Sequence, residues 1–205
     1  MLASCEKVTA EIKRRLIRRQ APMVVAIDGG SGSGKSTLAS MVADELGAVL
    51  IPLDDFFSAE IPDSQWDLFT VEERLASVFD WDRAREQVIV PLLEGRVARW
   101  HAFDFESGLR ADGTYGMREG ASEREPADVI LIEGAYSAGP ELTDLVDVAV
   151  LVDVPVEERH RRLEACESKG FVEKWHQRWD AVERYYFTRV RPASSFDLVL
   201  RPDVC

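Results

Sequence analysis

The stretch DGGSGSGKST, Asp28 to Thr37, decides how the rest of the chain is read. It follows the apolar run MVVAI (Met23 to Ile27), which Pro22 and Asp28 bound, so the run reads as a buried strand. It leads into KSTLASMVADEL (Lys35 to Leu46), a helix with Leu38, Met41, Val42 and Leu46 on one side. Gly29, Gly34, Lys35 and Ser36 fall on the fixed positions of G-x-x-x-x-G-K-[ST], in the strand-then-helix context that this motif requires. Backbone N–H groups can wrap a triphosphate closely only where no Cβ obstructs them. The helix starting near Lys35 adds its positive end. Gly29, Gly30, Ser31, Gly32, Ser33, Gly34, Lys35, Ser36 and Thr37 are therefore expected to bind ATP. Lys35 would neutralise the outer phosphates, Ser36 would ligate Mg²⁺ through its hydroxyl, and Thr37 would touch the inner phosphate. The bland alternative, a turn with incidental glycines, is disfavoured because motif and context agree.

Outward from this loop, AVLIPLD (Ala48 to Asp54), DVILIEG (Asp128 to Gly134), DVAVLVDV (Asp147 to Val154) and FDLVL (Phe196 to Leu200) read as strands. VEERHRRLEAC (Val156 to Cys166) and EKWHQRWDAVERYYFTRV (Glu173 to Val190) read as helices. EQVIVPLLEG combines a β-branched run with Pro91 and reads as a kinked helix. Apolar runs without alternation, separated by helices, indicate parallel strands buried on both faces. The expected class is α/β: the P-loop nucleoside triphosphate hydrolase fold, with helices on both faces of a parallel sheet and one domain over residues 1–205.

Composition narrows the function. The 205 residues are 46% hydrophobic and 30% charged, and no apolar run approaches the length that spans a bilayer. A net charge of -12 makes a general nucleic-acid binder a poor reading. The basic stretch KRRLIRR (Lys13 to Arg19) fits the outer face of a helix whose Val8, Ile12 and Leu16 recur every four residues. Cys5, Cys166 and Cys205 are odd in number and far apart, without metal-ligand spacing. With no signal-peptide pattern at the start, a reducing cytoplasm is the expected location. Neither a membrane nor a nucleic-acid partner is expected.

Triphosphate binding leaves a kinase or a nucleotide switch or motor. The N-K-x-D signal of guanine-specific switches is missing, and 205 residues leave a motor little room. A kinase needs a base at the carboxyl end of a neighbouring strand. IPLDDFF supplies Asp54 for that role, with Asp55 open between a metal ligand and a cap. Glu133, ending VILIEG, is expected to hold Mg²⁺ or its water.

GGSGSGKST, LDDFF, FDWD, FDF and VILIEG, in this order and rough spacing, resemble the uridine kinase-like family, relatives of pantothenate kinase and phosphoribulokinase. The resemblance runs from about Val24 to Phe196. It implies that Asp54 is the catalytic base and that Phe79 and Asp80 meet the acceptor's ribose. It further implies that Phe103 and Phe105, with Asp104 between them, frame its base, and that Arg110 matches a family arginine. A lid-like segment near 157–172 would close over the phosphates through Arg159, Arg161 and Arg162, with Arg161 and Arg162 catalytic. Read from the residues alone, Asp80 serves equally as a helix N-cap, the phenylalanines as core, and the arginines as a solvated face.

Three departures stand out. Gly108 replaces a base-reading histidine, Phe103 replaces a tyrosine, and Glu164 and Ala165 stand where the family carries Arg-Asp. The expected activity is transfer of the γ-phosphoryl of ATP to a hydroxyl of a nucleoside-like metabolite. A pantothenate- or sugar-like alcohol and a non-catalytic nucleotide-binding regulator are the alternatives. Trp175, Trp179, Val182 and Tyr186 form a stripe that reads as core rather than interface, which leaves a homo-oligomer open.

Overall fold

The computed structural model describes residues 1–17, 19, 22–166 and 169–202. Arg18 of the basic stretch, Cys205, and residues 167–168 of the lid-like segment lie outside these. Helix α1 (Leu2–Leu16) precedes strand β1 (Met23–Asp28), helix α2 (Lys35–Leu46) and strand β2 (Val49–Pro52). A 3₁₀ turn (Leu53–Phe56), the short helices α3 (Asp63–Trp66), α4 (Val71–Ser77), α5 (Trp81–Ala84) and α6 (Val90–Leu93), and a hairpin of β3 (Ala98–Asp104) and β4 (Gly116–Arg124) follow. Strands β5 (Val129–Glu133) and β6 (Val148–Val152), helices α7 (Val156–Cys166) and α8 (Lys169–Tyr185), and strand β7 (Leu198–Leu200) complete the chain order.

The sheet runs β2-β5-β1-β6-β7, every pair parallel, with β1 at its centre. Side chains alternate between its faces with the period of two that a strand imposes. Val25, Ile27, Leu131 and Val150 pack with Val8, Ile12, Leu38 and Val42 of α1 and α2. Val24, Ile130 and Ile132 pack on the other face with Trp66, Leu92, Trp179, Val182 and Tyr186. The aromatic stripe of α8 is thus core. The basic face of α1 is neutralised: Arg15 pairs with Glu11 and Asp197, Lys13 with Glu45, and Arg19 with Asp147. Among the described residues no helix is long and apolar enough to cross a membrane.

Three local readings change. The strand expected over Ala48–Asp54 stops at Pro52, so Asp54 and Asp55 sit in the 3₁₀ turn. Residues 81–93 are helical throughout, with a π-turn at Arg85–Ile89 just before Pro91. A wider turn ahead of a proline absorbs the missing N–H and the ring clash. The antiparallel hairpin β3–β4 was not expected as a unit. It docks through Trp100, which is buried beside Phe56 and donates to Asp55 Oδ2 at 2.8 Å.

Asp28 ends the central strand with no exposure to solvent. It accepts four hydrogen bonds: from Gly29 N (2.7 Å), Tyr136 N (2.9 Å), Ala138 N (3.0 Å) and the Tyr186 hydroxyl (2.7 Å). Burial pushes its pKa up, and these four donors oppose that rise. Asp28→Ala should therefore cost about 3–5 kcal/mol, because it strands several buried donors. Tyr186→Phe, which removes one donor and keeps the carboxylate, should cost about 1–2 kcal/mol. Urea unfolding measures both. Equal, small losses would show that the cluster is not a structural tie.

Candidate active site

The loop after β1 turns on glycines at points of close approach. Gly34 precedes α2 at φ 87°, the left-handed region that glycine adopts without strain. A Cβ on Gly30 would lie 2.4 Å from Arg159 Nη1 and 2.7 Å from Glu183 Oε2. Those two side chains clamp the loop from outside. Arg159 donates to Ser31 O (2.9 Å) and Glu183 Oε2 (2.6 Å), while Glu183 Oε1 accepts from Ser31 N (2.8 Å). The first N–H groups of α2, which no helical carbonyl can satisfy, follow directly on the loop and are available to an anion there.

The sheet register aligns the catalytic candidates. Glu133 pairs with both Ile27 of β1 and Pro52 of β2. The phosphate loop and the Asp54 turn therefore flank it on either side. Ser36 Oγ donates to Glu133 Oε2 at 3.0 Å. Burial raises the pKa of Glu133; Lys35 opposes that, and Asp54 adds to it. Asp54 reaches solvent through the cleft, yet the mass around it desolvates the carboxylate and raises its pKa, with Lys35 pulling the other way. A hydroxyl and carboxylates converging beside a lysine form the all-oxygen donor set that suits Mg²⁺. The residues fit that ion.

Asp54, Lys35, Gly32 and Ser31 open onto a cavity of about 550 Å³, walled by Phe79, Tyr136 and Trp179 among others. An adjoining cavity of about 290 Å³ shares Phe57, Phe105, Trp175 and Trp179, and adds Phe103, Gly108 and Tyr115. Buried Trp66 Nε1 lacks a partner on the edge of this second cavity. Asp63 anchors its polar end, accepting from Tyr115 OH (2.8 Å), Lys174 Nζ (2.6 Å) and Arg178 Nη1 (2.7 Å).

The structure brings Lys35, Ser36, Asp54 and Glu133 together, with Phe79, Phe103 and Phe105 on the cavity walls. The other candidates have these surroundings. Asp80 Oδ1 accepts from Arg83 N and caps α5, one of the two readings its position allowed. Asp55 Oδ2 accepts from Trp100, and its charge is felt by Asp54 and Glu133. Asp104 accepts from Glu106 N (3.1 Å) and Ser107 N (3.2 Å) and shapes its own turn. Arg110 is exposed in the β3–β4 connection, where its backbone N–H bonds Thr114 O. Thr37 lies exposed in the first turn of α2. Arg161 is largely exposed and held by Glu158; Arg162 also pairs with Glu158 but reaches Ser33 O at 3.4 Å. Sequence reasoning passed over Glu183, Asp28 and the Asp63–Arg178 pair. A charge beside the apolar stripe of α8 was the available signal for Glu183.

A parallel sheet with a phosphate-binding loop after its central strand, and carboxylates on the adjoining strand ends, defines a P-loop kinase. The sequence profile of the Phosphoribulokinase / Uridine kinase family matches residues 24–164, and the chain belongs to that family. It is 29% identical over 178 residues to a uridine kinase of Halobacterium salinarum, covering 82% of this chain and 71% of that one. It is 28% identical over 180 residues to a uridine kinase of Macrococcus caseolyticus, covering 82% and 78%. Among solved structures, "a Possible Uridine Kinase from Bacillus stearothermophilus" superposes with a TM-score of 0.69 at 20% identity, covering 97% of each chain. D-glycerate 3-kinase from Cryptococcus neoformans var. grubii gives a TM-score of 0.59 at 14% identity over 87% of each chain.

The Arg178 guanidinium, followed by burial and Lys174, sets the Asp63 pKa, with the net result well below the ordinary carboxylate value. A depressed folded pKa stabilises above the unfolded pKa, and that stability is lost as pH falls through the folded value. Asp63→Asn should cost about 2–3 kcal/mol at pH 7, and the gap to wild type should narrow below about pH 4. Unfolding curves across pH test this. A gap independent of pH would remove the ion pair as its cause.

Proposed function

We propose that the protein is an ATP-dependent, Mg²⁺-requiring kinase that phosphorylates a hydroxyl of a small nucleoside-like metabolite. The observation that carries this reading is the position of Asp54. Its carboxylate shares one cleft with Lys35 and the phosphate loop, beside the Ser36–Glu133 pair, and faces an aromatic cavity. The loop and Lys35 bind the triphosphate. Ser36 and Glu133 would hold Mg²⁺, which supplies charge neutralisation at the phosphates. Asp54 orients the acceptor hydroxyl and takes its proton; a raised pKa suits a base. Such transfer depends mostly on positioning and electrostatics. Arg162 is the better placed of the two candidate lid arginines, because it already reaches the loop's carbonyls.

A nucleoside is favoured by the ring-lined walls, which can stack a planar base. A second reading, a non-nucleoside alcohol, draws on two observations: Gly108 offers no side chain at the cavity, and one oxygen of Asp80 is used to cap a helix. A nucleotide-binding regulator without an acceptor is the third outcome of the test.

Asp54→Asn should lower kcat by about 10²–10⁴ while leaving ATP affinity unchanged. Lys35→Ala should lose ATP affinity or turnover. ADP release measured across a panel of nucleosides, pantothenate-like alcohols and sugars reads the acceptor. Full turnover by Asp54→Asn would remove Asp54 from the mechanism. Tight ATP binding with no stimulated release by any acceptor would favour the regulator.

A further inference from the structure

Outside this cleft, two of the chain's three histidines meet an aspartate where α7 faces α8. His176 and Asp180 lie four residues apart, one turn of α8, so their side chains share a face. His160 of α7 meets His176 with ring centroids 3.7 Å apart and planes tilted by 39°. One ligand atom from each of the three residues lies within 4.8 Å of the other two. His176 Nδ1 is 3.0 Å from Asp180 Oδ1, and His160 Nε2 is 3.3 Å from Asp180 Oδ2.

The second contact is not a hydrogen bond. His160 Nε2 is buried and has no hydrogen-bond partner, and neither has His176 Nε2. Two imidazoles this close also repel if both are protonated. A separation near 3.3 Å also suits two ligands of one ion. Two donor atoms about 2.0–2.1 Å from one tetrahedral ion are about 3.3 Å apart. Two imidazole nitrogens and a carboxylate favour zinc-class ions over Mg²⁺ or Ca²⁺, which prefer oxygen alone. A cavity of about 420 Å³ borders the trio and is lined by His160 and Asp180, with Gly30, Arg159 and Glu183. It leaves room for a water to complete the coordination.

We propose that His160, His176 and Asp180 form a binding site for a zinc-class divalent ion, distinct from the Ser36–Glu133 position. The ion cross-links α7 to α8. Those helices carry Arg159 and Glu183, which hold Ser31 of the phosphate loop. The site thus fastens the clamp on the loop from behind, without sharing a residue with the cleft. It depends on the fold alone and stands whether or not the proposed phosphoryl transfer is correct.

The full chain, free of nucleotide and kept in Mg²⁺ buffer, is titrated with Zn²⁺ against a chromophoric chelator. One equivalent should bind with a dissociation constant on the order of micromolar or tighter. His176→Gln and Asp180→Asn should each weaken binding at least about tenfold. Cys166→Ser and Glu133→Gln should leave it unchanged. Zn²⁺ at about a hundred times its dissociation constant should raise Tm by roughly 5–10 °C in wild type and not in His176→Gln. Co²⁺ should give wild type the intense visible bands of a four- or five-coordinate nitrogen-ligated ion, a readout that needs no variant. The weak spectrum of hydrated Co²⁺, or Zn²⁺ affinity unchanged in a His160→Gln, His176→Gln double variant, would overturn the site.

Discussion

A carboxylate that never meets solvent, Asp28, ties the phosphate loop to everything around it. It sits at the end of the central strand and takes one donor from the loop, two from the segment after β5, and one from the turn that follows α8. One of those donors belongs to Tyr136, which holds φ 67°, a costly conformation for a residue with an aromatic side chain. The hydrogen bond to Asp28 helps retain that conformation, and Tyr136 then forms a wall of the cleft. The loop's anchor and the cavity's shape are therefore one interaction seen from two sides.

Charge is distributed with the same economy. Net charge is -12, yet the cleft places Asp54 and Glu133 beside Lys35, with Asp55 close enough to add its charge. Like charges gathered in a desolvated space cost stability, and bound cations offset that cost. Behind the loop the arrangement is different. Arg159 and Glu183 are almost fully buried, and each also bonds the backbone of Ser31. A buried ion pair contributes most where its geometry is complete and its remaining valences are used. Here they are spent on holding a glycine-rich segment that has little side-chain packing of its own.

The sheet and its loop were legible because their signals are local. MVVAI, VILIE and VAVLV are uninterrupted apolar runs, and the glycine spacing is a fixed motif. The hairpin was not legible. GMREGASER alternates weakly, and most of β4 is exposed, so no burial pattern marks it. Asp80 carried two readings that sequence alone could not separate, since a carboxylate just before a helix serves either as cap or as ligand. The polar end of the second cavity was beyond reach for a different reason. Asp63 and Arg178 are 115 residues apart, and only the packing of α3 against α8 unites them.

That pairing bears on how acceptor and donor are kept in register. The β3–β4 connection, where Gly108 removes a side chain, contributes few polar groups to the proposed acceptor cavity. Helix α8 contributes Lys174, Trp175, Arg178 and Trp179 instead. The same helix carries Glu183 on the phosphate loop, and Tyr186, just beyond its end, bonds Asp28. From Arg178 to Glu183 is five residues, or about 7–8 Å along a helix axis. A single rigid element thus spans the cavity and the loop. On the proposed function, the spacing between the alcohol and the triphosphate would be set by backbone geometry rather than by a flexible connection. In-line transfer, which tolerates little misplacement, requires a fixed spacing of this kind.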